Sequence, residues 1–278
     1  MIRVINRFDV KNDYLVKGIH LEGLRTLGPL SLFAQYYAKE DIDEIFLSDS
    51  IASLFGNSHL LKYLDITTKE LSVPITVSGG IKSVKDIDQF LRAGADKVCI
   101  NSEAIRNNNF LSEAVKNFGS STISIEITAK KKNSNQFLCF IDNGRENSNI
   151  LVDEWVDKVQ EIGVGEIFLT SVDKEGTMKG FDMELISQIE KKITIPFIVG
   201  GGAGNPNDLV NISKKFENID GFCIASIMHF DLIKKNNFTN LNLPFGMKAD
   251  SFLFEEIKSY SIKDIKEELL KENIEVRN

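Results

Sequence analysis

Pro74–Ile81 reads PITVSGGI and Pro196–Ala203 reads PFIVGGGA. Each is a β-branched run that breaks into glycines. A buried strand ends there and leaves backbone amides without side chains over them. Such an end suits an oxyanion, because glycine lets it approach the N–H groups and a following helix adds a favourable dipole. The two stretches lie 122 residues apart, which predicts a doubled architecture holding a substrate with two phosphates.

The pattern around them is strand, then helix, repeated. Candidate strands are Arg3–Phe8, Glu44–Ser48, Ile75–Ser78, Lys97–Ile100, Thr122–Thr128, Glu166–Thr170, Phe197–Gly200 and Gly221–Ala225. They are short and mostly apolar on both faces, as in a parallel sheet covered by helices. The helical stretches are Leu30–Lys39, Lys85–Ala93, Asn109–Asn117, Val152–Glu161, Met183–Lys191 and Asn207–Phe216, with a closing helix at Ile262–Glu272. Eight such strands predict an α/β fold, a (β/α)8 TIM barrel. A doubly wound sheet competes, but no GxGxxG follows the first strand.

An internal repeat decides between them. Phe46–Asp49 (FLSD) matches Phe168–Ser171 (FLTS), and Asp86 matches Asp208, both at 122 residues. DKVCINS from Asp96 matches DGFCIAS from Asp220 at 124, and Phe8–Lys11 matches Ile127–Lys130 at 119. Short apolar strings do match by chance, but five blocks in series are the mark of a repeat. The chain reads as a single barrel over residues 1–278, with half-barrels at 1–120 and 121–229. Two regions break the rhythm. Lys130–Asn149 is polar and reads as a loop with a small hairpin, and 230–260 reads as an insertion before the closing helix.

Composition narrows the function. The 278 residues are 42% hydrophobic and 26% charged, with a net charge of −7, which argues against sequence-independent nucleic-acid binding. Cys99, Cys139 and Cys223 form no CxxC pair, and Cys99 and Cys223 sit in apolar runs as small core residues. The start carries Arg3, Arg7, Asp9 and Lys11 and is no signal peptide, and no apolar run reaches a membrane span. A cytoplasmic location is expected, with no membrane partner. His20, His59 and His229 share no ligand spacing, so no metal is expected, and nothing implies a cofactor.

In a barrel of this kind the site lies at the C-terminal ends of the strands. The strands in turn deliver Asp9 and Lys11, with Lys17 on the next loop; Asp49; Gly79 and Gly80; Asn101 and Ser102; Thr128 and Lys130; Thr170, Ser171 and Asp173, with Glu175, Gly176 and Thr177 in the loop; Gly201 and Gly202; and Ser226. The glycine pairs with Ser102 and Ser226 outline two phosphate pockets. Asp9, beside Lys17, is the best acid/base candidate, although a lone Asp at a strand end also serves as a cap or ion-pair partner. At the other end, Arg3, Glu44, Lys97 and Glu166 each begin a strand. They form a salt-bridge ring, separate solvated charges, or a gate around a central passage.

The motifs DVKNDYLVKGIHLEGLR, PITVSGGIKSVKD, AGADKVCINSEAI, EIFLTSVDKEGTMKGFD and VGGGAGNP resemble the cyclase (HisF-type) subunits of imidazole glycerol phosphate synthases. The resemblance covers about residues 1–230 and resumes near Ser259–Arg277. It implies a duplicated barrel that takes ammonia from a glutaminase (HisH-type) subunit at its N-terminal face. The ammonia is condensed with a bisphosphorylated ribulosyl intermediate. The resemblance makes Asp9 the first catalytic aspartate and Lys17 a flexible-loop lysine near the substrate. It places Gly80, Asn101 and Ser102 on one phosphate side and Gly176, Gly202 and Ser226 on the other, with Asp49 and Thr170 at the mouth. It makes Arg3, Glu44, Lys97 and Glu166 the ammonia-gate ring.

Four departures stand out. Thr128 occupies the position of the second catalytic aspartate, and a threonine cannot act as a general base there. Glu126 lies one step deeper on the same face. Glu175 replaces the usual Asp, and Asn6-Arg7-Phe8 replaces an apolar, cysteine-bearing run. The 230–260 insertion is also unusual. These departures resemble paralogues associated with a sugar amidotransferase in surface-glycan synthesis, where the barrel relays ammonia and cyclase activity is lost. A stand-alone phosphosugar isomerase is a third reading, and the missing second carboxylate counts against it.

Overall fold

The β-branched runs fold as the alternation predicts, because each buries both faces. The structure, a computed structural model, describes residues 1–52, 59–134, 136–236 and 257–277. Twelve strands are present among them: β1 (Arg3–Lys11), β2 (Tyr14–Ile19), β3 (Glu22–Pro29), β4 (Glu44–Asp49), β5 (Ile75–Ser78), β6 (Lys97–Ile100), β7 (Ile123–Asn133), β8 (Gln136–Ile141), β9 (Glu146–Leu151), β10 (Glu166–Ser171), β11 (Phe197–Gly200) and β12 (Gly221–Ile224).

Eight of these pair in parallel in the order β1-β4-β5-β6-β7-β10-β11-β12, and β12 pairs back onto β1. The sheet is therefore a closed barrel, and helices follow its strands in the (β/α)8 manner. In this ring β1 faces β7, and β4 faces β10, each four steps away in either direction. The apolar residues divide into two cores. Val4, Phe8, Ile45, Leu47 and their neighbours pack outward against the helices. Ile5, Phe46, Cys99, Phe168, Ile198 and Cys223 form a separate cluster inside the bore.

Helix starts follow local chemistry. Ser83 with Asp86, Asn205 with Asp208, and Ser261 with Asp264 each form a capping box, in which side chain and backbone satisfy each other's free donors. Asp86 and Asp208, which recur in the repeat, hold helix ends after the two glycine turns.

Two antiparallel additions stand on the barrel mouth. β7 runs four residues beyond the barrel and pairs with β8, which pairs with β9, so the polar stretch after the fifth barrel strand is a three-stranded flap. The β2–β3 hairpin is a feature that apolar periodicity did not reveal. Its signal is Asn12-Asp13, whose φ angles of 51° and 65° make the primed turn that reverses β1 into β2. The segment 230–260 begins inside the helix Ser226–Asn236, and residues 237–256 fall outside the described ones. At the floor, Ile2 pairs with Val276, and buried Lys266 holds Asp43 at 2.8 Å, Asp41 at 3.0 Å and the Arg277 carbonyl at 2.8 Å.

His229 joins the mouth to the wall. It is buried, its Nδ1 accepts from the Tyr37 hydroxyl at 2.9 Å, and its Nε2 donates to the Arg7 carbonyl at 2.9 Å. Burial lowers its pKa from 6.5 to about 4, so the folded ring stays neutral while the unfolded chain takes up a proton. The stability it carries is complete above pH 6.5 and falls by about 3 kcal/mol as pH drops to the folded value. The urea midpoint should therefore fall between pH 7.0 and 4.5, and His229→Gln should flatten that slope. An unchanged slope would remove His229 as the cause.

Candidate functional site

Side chains alternate along a strand, so one face of each barrel strand points to the axis. On β1 that face carries Arg3, Ile5, Arg7 and Asp9 in order, from floor to mouth. On β4 it carries Glu44, Phe46 and Ser48; on β10, Glu166, Phe168 and Thr170; and on β7, Ser124, Glu126 and Thr128. The pairings place Ile5 beside Glu44, Arg7 beside Phe46, and Phe168 beside Glu126. The bore is thus stacked in layers: charge, then apolar side chains, then charge again.

At the floor, the four strand-opening charges are brought together. Arg3 Nη1 donates to Glu44 at 3.0 Å and its Nη2 to Glu166 at 2.7 Å, while Lys97 Nζ reaches the other Glu166 oxygen at 3.0 Å. Burial opposes the charge on Arg3, but Glu166 and Glu44 outweigh it and raise its pKa. Arg277 adds a 3.5 Å contact to Glu44.

At the mouth, five charged side chains form one buried network. Arg7 Nε donates to Asp9 at 2.8 Å, and Arg7 Nη1 donates to Glu126 at 2.7 Å. Lys17 Nζ donates to Asp9 at 3.1 Å and pairs with Glu175. Thr170 donates to Glu126 at 3.2 Å. Burial pushes the Asp9 carboxyl up, but Arg7 and Lys17 overcome it and hold it well below the usual carboxylate range. Asp9 is therefore an ionised group with two cations on it. Burial likewise lowers the Lys17 pKa, and Glu175 and Asp9 raise it on balance, so this ammonium stays charged. Lys17 was expected on a flexible loop; it lies within β2, because the hairpin folds over the mouth. Gly176 permits that close approach: a Cβ there would meet the Gly18 carbonyl at 2.1 Å.

Two cavities open at the strand ends. Ser48, Gly79, Gly80, Asn101, Ser102 and Thr128 contribute to one, and Glu175, Gly176, Gly201, Gly202 and Ser226 to the other. The Gly79 and Gly202 turns need glycine. Their φ values are +104° and +106°, and added Cβ atoms would meet the Asp49 carbonyl at 2.6 Å and the Gly180 carbonyl at 2.2 Å. Asp49 lines the first cavity, but its carboxylate accepts from the amides of Ile51, Ala52 and His59. Thr128 accepts from Asn101 at 2.9 Å. Ser102 accepts from the Asp142 amide at 3.0 Å, which ties the first cavity to the flap. Among the described residues no cluster of His, Cys, Asp and Glu suits a metal ion, and no helix is long and apolar enough to cross a membrane. Burial raises the thiol pKa of Cys99, Cys139 and Cys223, so these are packing groups.

Sequence reasoning registered Arg7 only as a departure in Asn6-Arg7-Phe8 and gave it no role. The available signal was its parity with Arg3 and Asp9, two residues from an acid on an inward face.

Fold and site together define a closed (β/α)8 barrel with polar cavities at the C-terminal ends of its strands, the arrangement of barrel enzymes. Comparison with known proteins gives the particular family. The family described as Histidine biosynthesis protein matches residues 3–234. Imidazole glycerol phosphate synthase subunit HisF of Legionella pneumophila is 42% identical over 203 residues, 73% of this chain and 96% of the relative. The proteins of that name from Lactococcus lactis subsp. cremoris (37% over 229 residues, 82% and 88%) and Sulfurisphaera tokodaii (37% over 232 residues, 84% and 92%) are similar. The chain belongs to the histidine biosynthesis protein family.

The Arg7–Glu126 pair is open to a direct test. Arg7→Met leaves a buried carboxylate without its cation and should cost about 3 kcal/mol, whereas Arg7→Met with Glu126→Leu should recover at least half of that. Chemical unfolding of the two singles and the double gives the coupling. Additive losses would show that the pair does not act as a unit.

Proposed function

We propose that this chain is the HisF-type synthase subunit of a glutamine amidotransferase complex. It uses ammonia from a HisH-type glutaminase at the N-terminal face to form an imidazole ring on a bisphosphorylated ribulosyl substrate. The observation that carries this reading is axial alignment. The ring of Arg3, Glu44, Lys97 and Glu166 lies under the same bore whose mouth holds Asp9, Lys17 and two glycine-turn cavities. The kinship to proteins called imidazole glycerol phosphate synthase subunit HisF supports it. Ammonia would enter at the floor ring, and the substrate phosphates would occupy the cavities around Gly79–Gly80 with Ser102 and around Gly201–Gly202 with Ser226. Asp9 would take protons during ring formation. Its two cations keep it ionised and aimed, while Lys17 steadies developing negative charge.

A second reading is favoured by one observation. Thr128 cannot ionise, and the carboxylate one step deeper, Glu126, is held by Arg7 and Thr170. A barrel with a threonine at this level of the mouth and its nearest acid on that strand one step deeper fits a subunit that relays ammonia to a separate sugar amidotransferase. The stand-alone isomerase has no such observation behind it.

Purified protein supplied with ammonium salt and the ribulosyl intermediate should form imidazole glycerol phosphate, and Asp9→Asn should lower kcat/KM about 10²–10⁴-fold. No turnover above background would sink the synthase reading and leave the relay. Lys97→Ala removes one floor ion pair. With the glutaminase subunit present, it should lower the ratio of product formed to glutamine consumed while leaving the ammonium-driven rate within about threefold. An unchanged ratio would count against the floor ring as an entry point for ammonia.

A further inference from the structure

Three contacts cross the barrel axis one above another. At the floor, Arg3 on β1 reaches Glu166 on β10 at 2.7 Å. In the apolar layer, the rings of Phe46 and Phe168, on the facing strands β4 and β10, have centroids 4.8 Å apart. Above them, Arg7 on β1 reaches Glu126 on the facing strand β7 at 2.7 Å. A pair joining opposite strands lies over the axis itself. The Arg7 guanidinium also sits over the Phe46 ring, 5.0 Å from its centroid. It thereby caps the apolar layer at Phe46 and Phe168, while Cys99 and Cys223 of the same layer each line one of the two cavities.

Arg7 has a second property. Each cavity at the mouth has its own lining, and Arg7 is the residue common to both. Its Nε is committed to Asp9, and its Nη1 to Glu126 and, more weakly, to Thr170 at 3.4 Å. Its Nη2 donates no hydrogen bond to any described residue. An anion in either cavity therefore meets a guanidinium with an uncommitted edge. Guanidinium prefers paired hydrogen bonds to phosphate or carboxylate oxygens. The bond to Asp9 can serve as the pivot, because only the Nη1 contacts have to break, and Glu126 then keeps the Thr170 hydroxyl.

We propose that Arg7 is a positioning residue that couples the mouth to the bore: a phosphate-bearing ligand in the glycine cavities draws the guanidinium off Glu126 and opens the axis above Phe46 and Phe168. This rests on the reading of the cavities as anion sites and of the axis as a passage. The consequence is order. Small neutral molecules in the bore reach the mouth only when an acceptor is seated there.

The first test uses the purified full chain, labelled with ¹⁵N-arginine and on the backbone, and inorganic phosphate as the probe. The Arg7 Nε–H signal is assigned by its loss in Arg7→Lys. It should shift saturably together with the backbone amides of Gly80 and Gly202. If the glycine amides respond and Arg7 does not, the anion cavities stand and the coupling is overturned. If neither glycine responds at millimolar phosphate, the cavity reading fails and the coupling falls with it.

The second test reads the opening itself. Cys223 lines the second cavity, where bound phosphate would shield it, so the opening is read without phosphate, as labelling of Cys223 by the small neutral reagent methyl methanethiosulfonate. Arg7→Ala with Glu126→Ala removes both buried charges together and should label about tenfold or more faster than the parent chain, the loss of a closing contact worth upwards of 1.4 kcal/mol. Arg7 lowers the Cys223 pKa and Glu126 raises it, so the two losses oppose each other at the thiol and a faster rate reports access. Labelling unchanged by the double substitution would overturn the proposal.

Discussion

The molecule depends on the parity of β1. Residues two apart on a strand share a face, and in a closed barrel the inward face has nowhere to go but the axis. Arg3, Ile5, Arg7 and Asp9 therefore descend the bore in line. Each meets partners delivered at the same height by β4, β7 and β10. A one-residue slip of β1 would turn Val4, Phe8 and Val10 into the bore and bury Arg7 and Asp9 against the helices. The outer core excludes that slip. Phe8 packs on Tyr37 and His229, with ring centroids 5.6 Å and 5.9 Å away, and the His229 ring holds the Arg7 carbonyl. The wall of the barrel thus fixes the chemistry of its interior.

Burying so much charge asks for full pairing. A charged group without a partner in such a place costs several kcal/mol, while a well-paired one returns little net stability. Two cations, Arg7 and Lys17, face three carboxylates, Asp9, Glu126 and Glu175. Counted by formal charge, the network carries one more carboxylate than cations (three against two). Its members come from β1, β2, β7 and the loop after β10, so it also pins the β2–β3 hairpin over the mouth. Such a cluster is weak evidence of selection for stability. It is better understood as a site whose geometry is held by charge on every side.

The barrel was legible because its signals are local. Apolar strands break into Gly79-Gly80 and Gly201-Gly202, and Asp86 and Asp208 cap the next helices, so order and element type could be read in series. The eight strands appear within a few residues of their expected ends. The floor charges were legible as a set because each opens a strand, and a closed barrel brings strand starts together. The flap and hairpin were less legible. Mostly buried β2 and β8 pair there with the more exposed β3 and β9, and the turns are set by Asn12-Asp13 and Asp142-Asn143-Gly144, whose positive φ an apolar period does not report. The neighbours of Arg7 give its inward face but not its partner across the bore. Its partner Glu126 is 119 residues away, and only closure of the ring puts β1 opposite β7.

That distance bears on what Thr128 means. A carboxylate two residues deeper on the same strand faces the same way, so Glu126 is the acid that this face of β7 delivers below Thr128. It stands one layer deeper than Thr128, at the back of the first cavity. Glu126 Oε1 takes both the Arg7 guanidinium and the Thr170 hydroxyl, below the level at which Thr128 meets Asn101. Arg7 brings a cation into the bore that needs a carboxylate, and Glu126 supplies it. Thr128, one step nearer the mouth, adds no further charge and spends its hydroxyl on Asn101. The same strand thus delivers a charged group to the layer of the guanidinium and a neutral one to the layer above it.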